Sequence, residues 1–248
     1  VLHWSFAGAG GTDAWRIRPV TEAFTYAFDA VNTRTPAPAD VGGSLKVASF
    51  NVLNYFTTLD EGPSVCGPTA SIGCRGANSP EELERQTRKI VAAICALDAD
   101  IVGLVELQNP VPGMEEAPIT TLVNAVNDTC PTYAAIETGT VGADAITVGF
   151  IYRLETVEIF GTTAILDTPE FTDGNNTGRQ QNRPAIAQTF KEIATERSLT
   201  VAVNHLKSKG SGCGAGDDDT TTGQANCNLT RTLAAQAQAE WLATNPTG

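Results

Sequence analysis

The chain predicts a layered α/β domain preceded by a short β-rich segment. Apolar strand-like runs alternate with amphipathic helical stretches from Ser44 onward, the pattern of strands and helices packed in layers. Ser79-Pro80-Glu81-Glu82 is an explicit helix start, with Ser at the N-cap, Pro at N1 and Glu at N3. Hydrophobic residues make up 42% and charged residues 18% of the 248, a globular balance rather than that of a disordered chain. Periodicity alone leaves open whether the strands form a single sheet or two packed sheets.

Residues 1–28 contain β-like pieces at 1–6, 15–17 and 23–27, with Gly8 and Gly11 bracketing a turn; they are too few to bury a core. Residues 29–43, rich in Pro, Ala and Gly, read as a linker, and a new domain begins at Ser44. LKVASF at 45–50 is an apolar run suited to a strand covered on both faces. After Ser79, Leu83, Ile90, Ile94 and Leu97 recur at helical spacing. IVGLVEL at 101–107 reads as a strand and ITTLVNAVN at 119–127 as a helix. Strands follow at 145–152, 184–190 and 199–206, then a helix at 229–243 with Leu229, Leu233, Ala237 and Trp241 along one stripe. The first residue, Val1, lies in what reads as the interior of a strand, so the chain is expected to be an excerpt or a mature product.

The net charge of −12 argues against a passive nucleic-acid binder that works by charge neutralisation. It is compatible with an enzyme that meets phosphate through a bound cation and a few placed Arg or Lys residues. No apolar run approaches the roughly 20 residues that span a bilayer. Cys66 and Cys74 bracket a Gly/Pro/Ser-rich stretch, and Cys213 and Cys227 a Gly/Asp/Thr-rich one; both read as disulfide-stapled loops. Cys95 and Cys130 either pair or are buried thiols. The pattern favours a secreted or extracellular setting.

Several residues could carry chemistry, each with an ordinary alternative. Asn51 follows a strand and could be a turn residue. Glu106 sits inside an apolar run, where a carboxylate needs a cation, a hydrogen-bond partner or solvent; a salt bridge competes with a hard cation such as Mg²⁺. His205 ends a strand beside Asn204 and Lys207 and could donate to a phosphate oxygen, or simply satisfy a backbone carbonyl. Arg153 and Arg183 could hold phosphate or be surface cations, and Tyr152 could offer its hydroxyl or pack. Asp217, Asp218 and Asp219 lack the EF-hand pattern and read as a solvated charge run rather than a Ca²⁺ site.

The order of these residues raises their weight. SFNVLNYF (49–56), CRGAN (74–78), ERQTRKIVAAI (84–94), DADIVGLVELQN (98–109), DAITVGFIYR (144–153), NRPAIAQTF (182–190), VNHLKSKGS (203–211) and GQANCNLTRTLAAQA (223–237) resemble, in order, the endonuclease/exonuclease/phosphatase superfamily that includes deoxyribonuclease I. The bacterial extracellular nuclease branch is the closer match. DAWRIRP (13–19) resembles the end of an OB-like domain that often precedes the nuclease there.

The resemblance implies a sandwich of two mixed β-sheets flanked by helices over 44–248. It also implies divalent-metal-dependent phosphodiester hydrolysis of DNA or RNA, with Mg²⁺ first and Mn²⁺ or Ca²⁺ as alternates, and no stable membrane association. Asn51 and Glu106 correspond to metal ligands, and His205 to the His on the scissile phosphate; Tyr152 joins this catalytic set. Asn204, Arg183, Asn228 and Arg231 fall to substrate binding. The family continues with a Gly-Asp-Leu-Asn block and a terminal Asp-His pair, which this sequence lacks, so the domain is expected to be C-terminally incomplete, inactive by itself and in need of that segment. Rival readings are a phosphatase or sphingomyelinase of the same superfamily, and a non-catalytic binding or adhesion fragment.

Overall fold

The computed structural model describes residues 2–6, 13–17, 35, 39–40 and 42–248, apart from 131, 215 and 220–222. The chain divides into two compact units, 1–36 and 37–248. In the first, β1 (Leu2–Phe6) pairs antiparallel with β2 (Asp13–Ile17), and Trp4 meets Trp15 edge-on at 5.3 Å between ring centroids. The expected turn at 8–11, the strand at 23–27 and most of the expected linker at 29–43 lie outside the described residues.

The second unit is a mixed α/β domain. One sheet has the order β3-β4-β6-β5, formed by β3 (Val47–Tyr55), β4 (Ile101–Gln108), β6 (Ile146–Arg153) and β5 (Tyr133–Ile136). The other has the order β7-β8-β9, formed by β7 (Val157–Leu166), β8 (Arg183–Glu192) and β9 (Ser198–His205). The first sheet is mixed, because β3 and β4 run parallel through a long crossover while β4, β6 and β5 are antiparallel. The second departs from the expected mixed arrangement: both of its pairings are antiparallel, and the short 193–197 connection between β8 and β9 permits no other direction.

The sheets pack face to face. Ile101, Val148, Phe150 and Tyr152 of the first meet Val157, Ile186, Phe190 and Val203 of the second. Phe150 and Phe190 stand edge to face at 5.8 Å. Gly103 lets the sheets close, since a Cβ there would lie 3.1 Å from Val203. Helices α1 (Pro80–Leu97) and α2 (Pro118–Asn127) cover the outer face of the first sheet through Ile90, Ile94, Leu122 and Val126. The one-turn α3 (Pro169–Thr172) and α4 (Asn228–Leu242) cover the second through Phe171, Ala234 and Trp241.

Local chemistry sets the helix ends. Ser79 Oγ accepts the Glu82 N–H at 3.3 Å, and Glu82 returns a bond to the Asn78 N–H at 3.1 Å. Asp98 closes α1 in the left-handed conformation. The start of α4 is capped from a distance: Asp217 accepts the Leu229 and Thr230 N–H groups, each at 2.8 Å. Asp218 accepts the Cys213 N–H and Asp219 the Ala225 N–H, so this acidic run, with Asp218 exposed to solvent, also organises its loop through backbone amides. Cys66–Cys74, Cys95–Cys130 and Cys213–Cys227 are disulfides.

Candidate active site

A break in β4 creates the site. Val102 and Leu104 face the helix layer, and strict alternation would send residue 106 the same way. Instead the register shifts between Val105 and Leu107, Glu106 takes φ +67°, and Leu107 joins the helix-facing core. The bulge therefore keeps an apolar side chain in the core and frees the carboxylate from it. A left-handed φ at a non-glycine residue is uncommon and costs on the order of 1–3 kcal/mol. Strand β3 is irregular at the same level: its register shifts between Asn51 and Tyr55, and Leu53 and Asn54 also take positive φ.

The two irregular strand ends meet. Asn51 Nδ2 donates to Glu106 Oε1 at 2.8 Å, and the Asn54 N–H donates to Glu106 Oε2 at 3.2 Å. Asn51 Oδ1 accepts the Leu53 N–H at 2.7 Å. His205, arriving at the end of β9, places Nε2 3.8 Å from Glu106 Oε1. Both side chains are partly buried, at 20% exposure for His205 and 18% for Glu106. His205 Nδ1 is buried and has no hydrogen-bond partner. Burial, then the nearby Arg183 cation, pull the His205 pKa below its ordinary value against the opposing pull of Glu106 and Asp144, favouring the neutral ring.

Arg183 is the cross-strand neighbour of His205. Its guanidinium holds Asp144 Oδ2 at 2.7 Å, and Asp144 Oδ1 accepts Arg75 at 2.8 Å. Burial raises the Asp144 pKa, but the two guanidinium groups outweigh it and leave the carboxyl below its usual range. Arg183, Arg179 and Lys207 line a cavity of about 360 Å³ with Asp144 and Ser211. Burial and the two arginines depress the Lys207 pKa. A local excess of cations thus stands beside Glu106 and His205 in an acidic chain.

The remaining expected residues fall in several places. Asn204 is half-buried and lines a separate cavity of about 330 Å³ between β3 and β9, with Ser49 and Val203. Arg231 gives its guanidinium to the carbonyls of Asn226, at 2.6 Å, and Lys207, at 3.3 Å, bracing the Lys207 segment from α4. Asn228 is exposed at the first position of α4. Tyr152 is not brought to this group: it packs on Phe190 and pairs with Ile101, at the opposite end of β4 from Glu106. Arg153 is also at that end, bound to Asp98 at 2.7 Å.

Two contributors escaped the sequence reading. Asp144 joins Arg75 to Arg183, and only its acidic character before a strand hinted at this. Asn182, fully buried, accepts the Lys207 N–H at 2.7 Å and donates to the Phe171 carbonyl at 2.9 Å, fixing the chain just past His205. Its signal was an Asn immediately before the Arg-Pro of a strand.

No protein-family profile and no curated protein matches the chain. Among solved structures, it is similar to an endonuclease/exonuclease/phosphatase family protein from Bacteroides thetaiotaomicron, at 15% identity and a TM-score of 0.47, over 82% of this chain and 59% of that one. It is also similar to the human Nocturnin catalytic domain solved with a bound sulfate anion, at 19% identity and a TM-score of 0.33, over 62% of this chain and 52% of that one. The chain thus spans less than two thirds of the length of either.

Proposed function

We propose that this chain carries the metal-binding and phosphate-binding part of a secreted nuclease that hydrolyses phosphodiester bonds in DNA or RNA with a divalent cation. The observation that carries the reading is the bulge that turns Glu106 out of an apolar strand, at a backbone cost, to meet Asn51 and His205 beside Arg183 and Lys207.

The donor set fits a hard divalent ion in kind. Glu106 offers a carboxylate, and Asn51, whose amide nitrogen now faces Glu106, would offer its oxygen after turning its amide; Mg²⁺ commonly takes one or two protein oxygens and keeps several waters. Mn²⁺ and Ca²⁺ accept the same donors. When bound, such an ion polarises phosphoryl oxygens and offsets the charge that develops on them. Arg183 and Lys207 hold the phosphate by charge-assisted hydrogen bonds. The neutral His205 ring donates one N–H to a phosphate oxygen. Arg231 holds the Lys207 segment in place. Among the described residues no group of three or more His, Cys, Asp or Glu side chains converges as a metal cluster.

The three disulfides support an oxidising, extracellular setting. Among the described residues no helix is long and apolar enough to cross a membrane.

The test pairs calorimetric titration of Mg²⁺ and Mn²⁺ with cleavage of DNA and RNA, for residues 1–248 and for any longer parent. Divalent binding that Glu106→Gln abolishes, and cleavage that EDTA abolishes, are expected. Cleavage that persists in EDTA would sink the metal reading. Oligonucleotide binding without cleavage by any form of the chain would favour a binding module instead.

A further inference from the structure

We propose that the groove between α1 and the segment around Arg75 is a second phosphate-binding site, which holds a backbone phosphate of the same nucleic-acid strand away from the scissile one. This rests on the nuclease reading and adds to it a contact on the substrate strand beyond the scissile phosphate.

The groove has a volume of about 350 Å³ and is lined by Leu53, Asn54, Arg75, Arg85, Gln86 and Lys89. Arg85 and Lys89 lie one helical turn apart and so share a face of α1. With Arg75, which Asp144 holds at 2.8 Å, they set three cations against Glu82 and Asp144, in a chain whose net charge is −12. Such a local reversal of sign concentrates anions. The Arg85–Glu82 pair, at 3.3 Å with side chains 53% and 41% exposed, is weak and can yield to a phosphate. The wall is firm: Gln86 Nε2 donates to the Leu53 carbonyl at 2.8 Å and to the Val52 carbonyl at 3.2 Å.

The groove and the candidate site are joined twice. Asn54 lines the groove while its N–H holds Glu106 Oε2. Arg75 lines the groove while sharing Asp144 with Arg183. A strand whose phosphate lies at Arg183 therefore meets a second cationic groove nearby. A mononucleotide or a small phosphomonoester would occupy one of the two; only a polymer of phosphodiesters occupies both.

The experiment measures fluorescence anisotropy of residues 1–248 with a labelled phosphorothioate twelve-mer in EDTA, and displacement of it by an unlabelled trinucleotide. Arg85→Ala/Lys89→Ala should weaken the twelve-mer about tenfold, lower its salt dependence by about one to two ions, and leave the trinucleotide unchanged. Arg85→Lys/Lys89→Arg, which keeps both charges, should retain wild-type affinity. Unchanged twelve-mer affinity and salt slope in the alanine variant would overturn the second site while leaving the nuclease reading intact. Equal weakening of both ligands would also overturn it. A wild-type chain that binds neither ligand would overturn the second site, whereas the nuclease reading stands or falls on the cleavage assay with divalent ion.

Discussion

At the scale of single residues, the site depends on carboxylates held by neighbours of opposite character. Glu106 occupies a strained φ and accepts N–H groups on both oxygens, so Glu106→Gln keeps its size but gives up one of those bonds together with the charge a divalent ion needs. In an active parent, that variant should lose divalent-dependent cleavage by at least about 100-fold, given the several kcal/mol such ions supply. Its thermal midpoint should stay within a few degrees of wild type; wild-type turnover would take Glu106 out of the site. His205→Ala should lose on the order of 10²–10⁴-fold in rate with the fold retained, as read by kinetics and circular dichroism. Asp144 gives a pH-dependent effect. Its folded pKa lies below its unfolded one, so its contribution is present above the unfolded pKa and is lost as pH falls through the folded pKa. Asp144→Asn should therefore cost about 2 kcal/mol at pH 7. Urea titrations should show the gap to wild type narrowing as pH falls below the ordinary carboxylate range; a gap that does not narrow on acidification would contradict this linkage.

At the scale of elements, irregularities rather than regular strands define the domain. Strand β7 is broken between Phe160 and Ala164, where Gly161 at φ +72° lies against the carbonyl of Thr247. The Thr162 N–H donates to that same carbonyl at 2.8 Å, and the Thr247 hydroxyl pairs with Thr189 at 2.6 Å, so the turn after α4 is clasped onto the second sheet. A Cβ at residue 161 would stand 2.1 Å from the Thr247 oxygen. Gly161→Ala should therefore cost more than about 2 kcal/mol in chemical denaturation, from the φ penalty and the overlap together. A cost near zero would mean that the clasp does not persist in solution. Asp217→Ala, which removes the remote cap of α4, should cost about 1 kcal/mol or somewhat more.

At the scale of the whole molecule, the layers and covalent links hold together a chain with strong negative charge. Cys95–Cys130 ties α1 to the end of α2 across a sequence separation of 35, on the outer face of the first sheet. In the chain-entropy account, a closed loop of that length contributes about 4 kcal/mol, more than either shorter loop. Cys95→Ala/Cys130→Ala should lower the urea midpoint accordingly, and a negligible change would show that native packing alone fixes the helix pair. At this scale the net negative charge is spread over the surface, while cations gather in two grooves lined by Arg and Lys.

The sequence by itself determined the elements whose signals are local. Ser79-Pro80 and the helical spacing of Ile90 and Ile94 marked α1, and the apolar runs marked β4, β6 and β8, because capping and periodicity need only nearby residues. Glu106 stood out by being charged where its neighbours were not. Strand β7 went unread, since most of its residues are exposed and its alternation is broken by the bulge. Strand β5 is only four residues long, too short for a periodic signal. The bulge that frees Glu106, the carboxylate of Asp144 shared between Arg75 and Arg183, and the placement of Tyr152 at the far end of the sheet were decided only in the tertiary structure. Each depends on strand register or on groups distant in sequence, and register is chosen by which side chains the two cores can bury together, not by any stretch of chain alone.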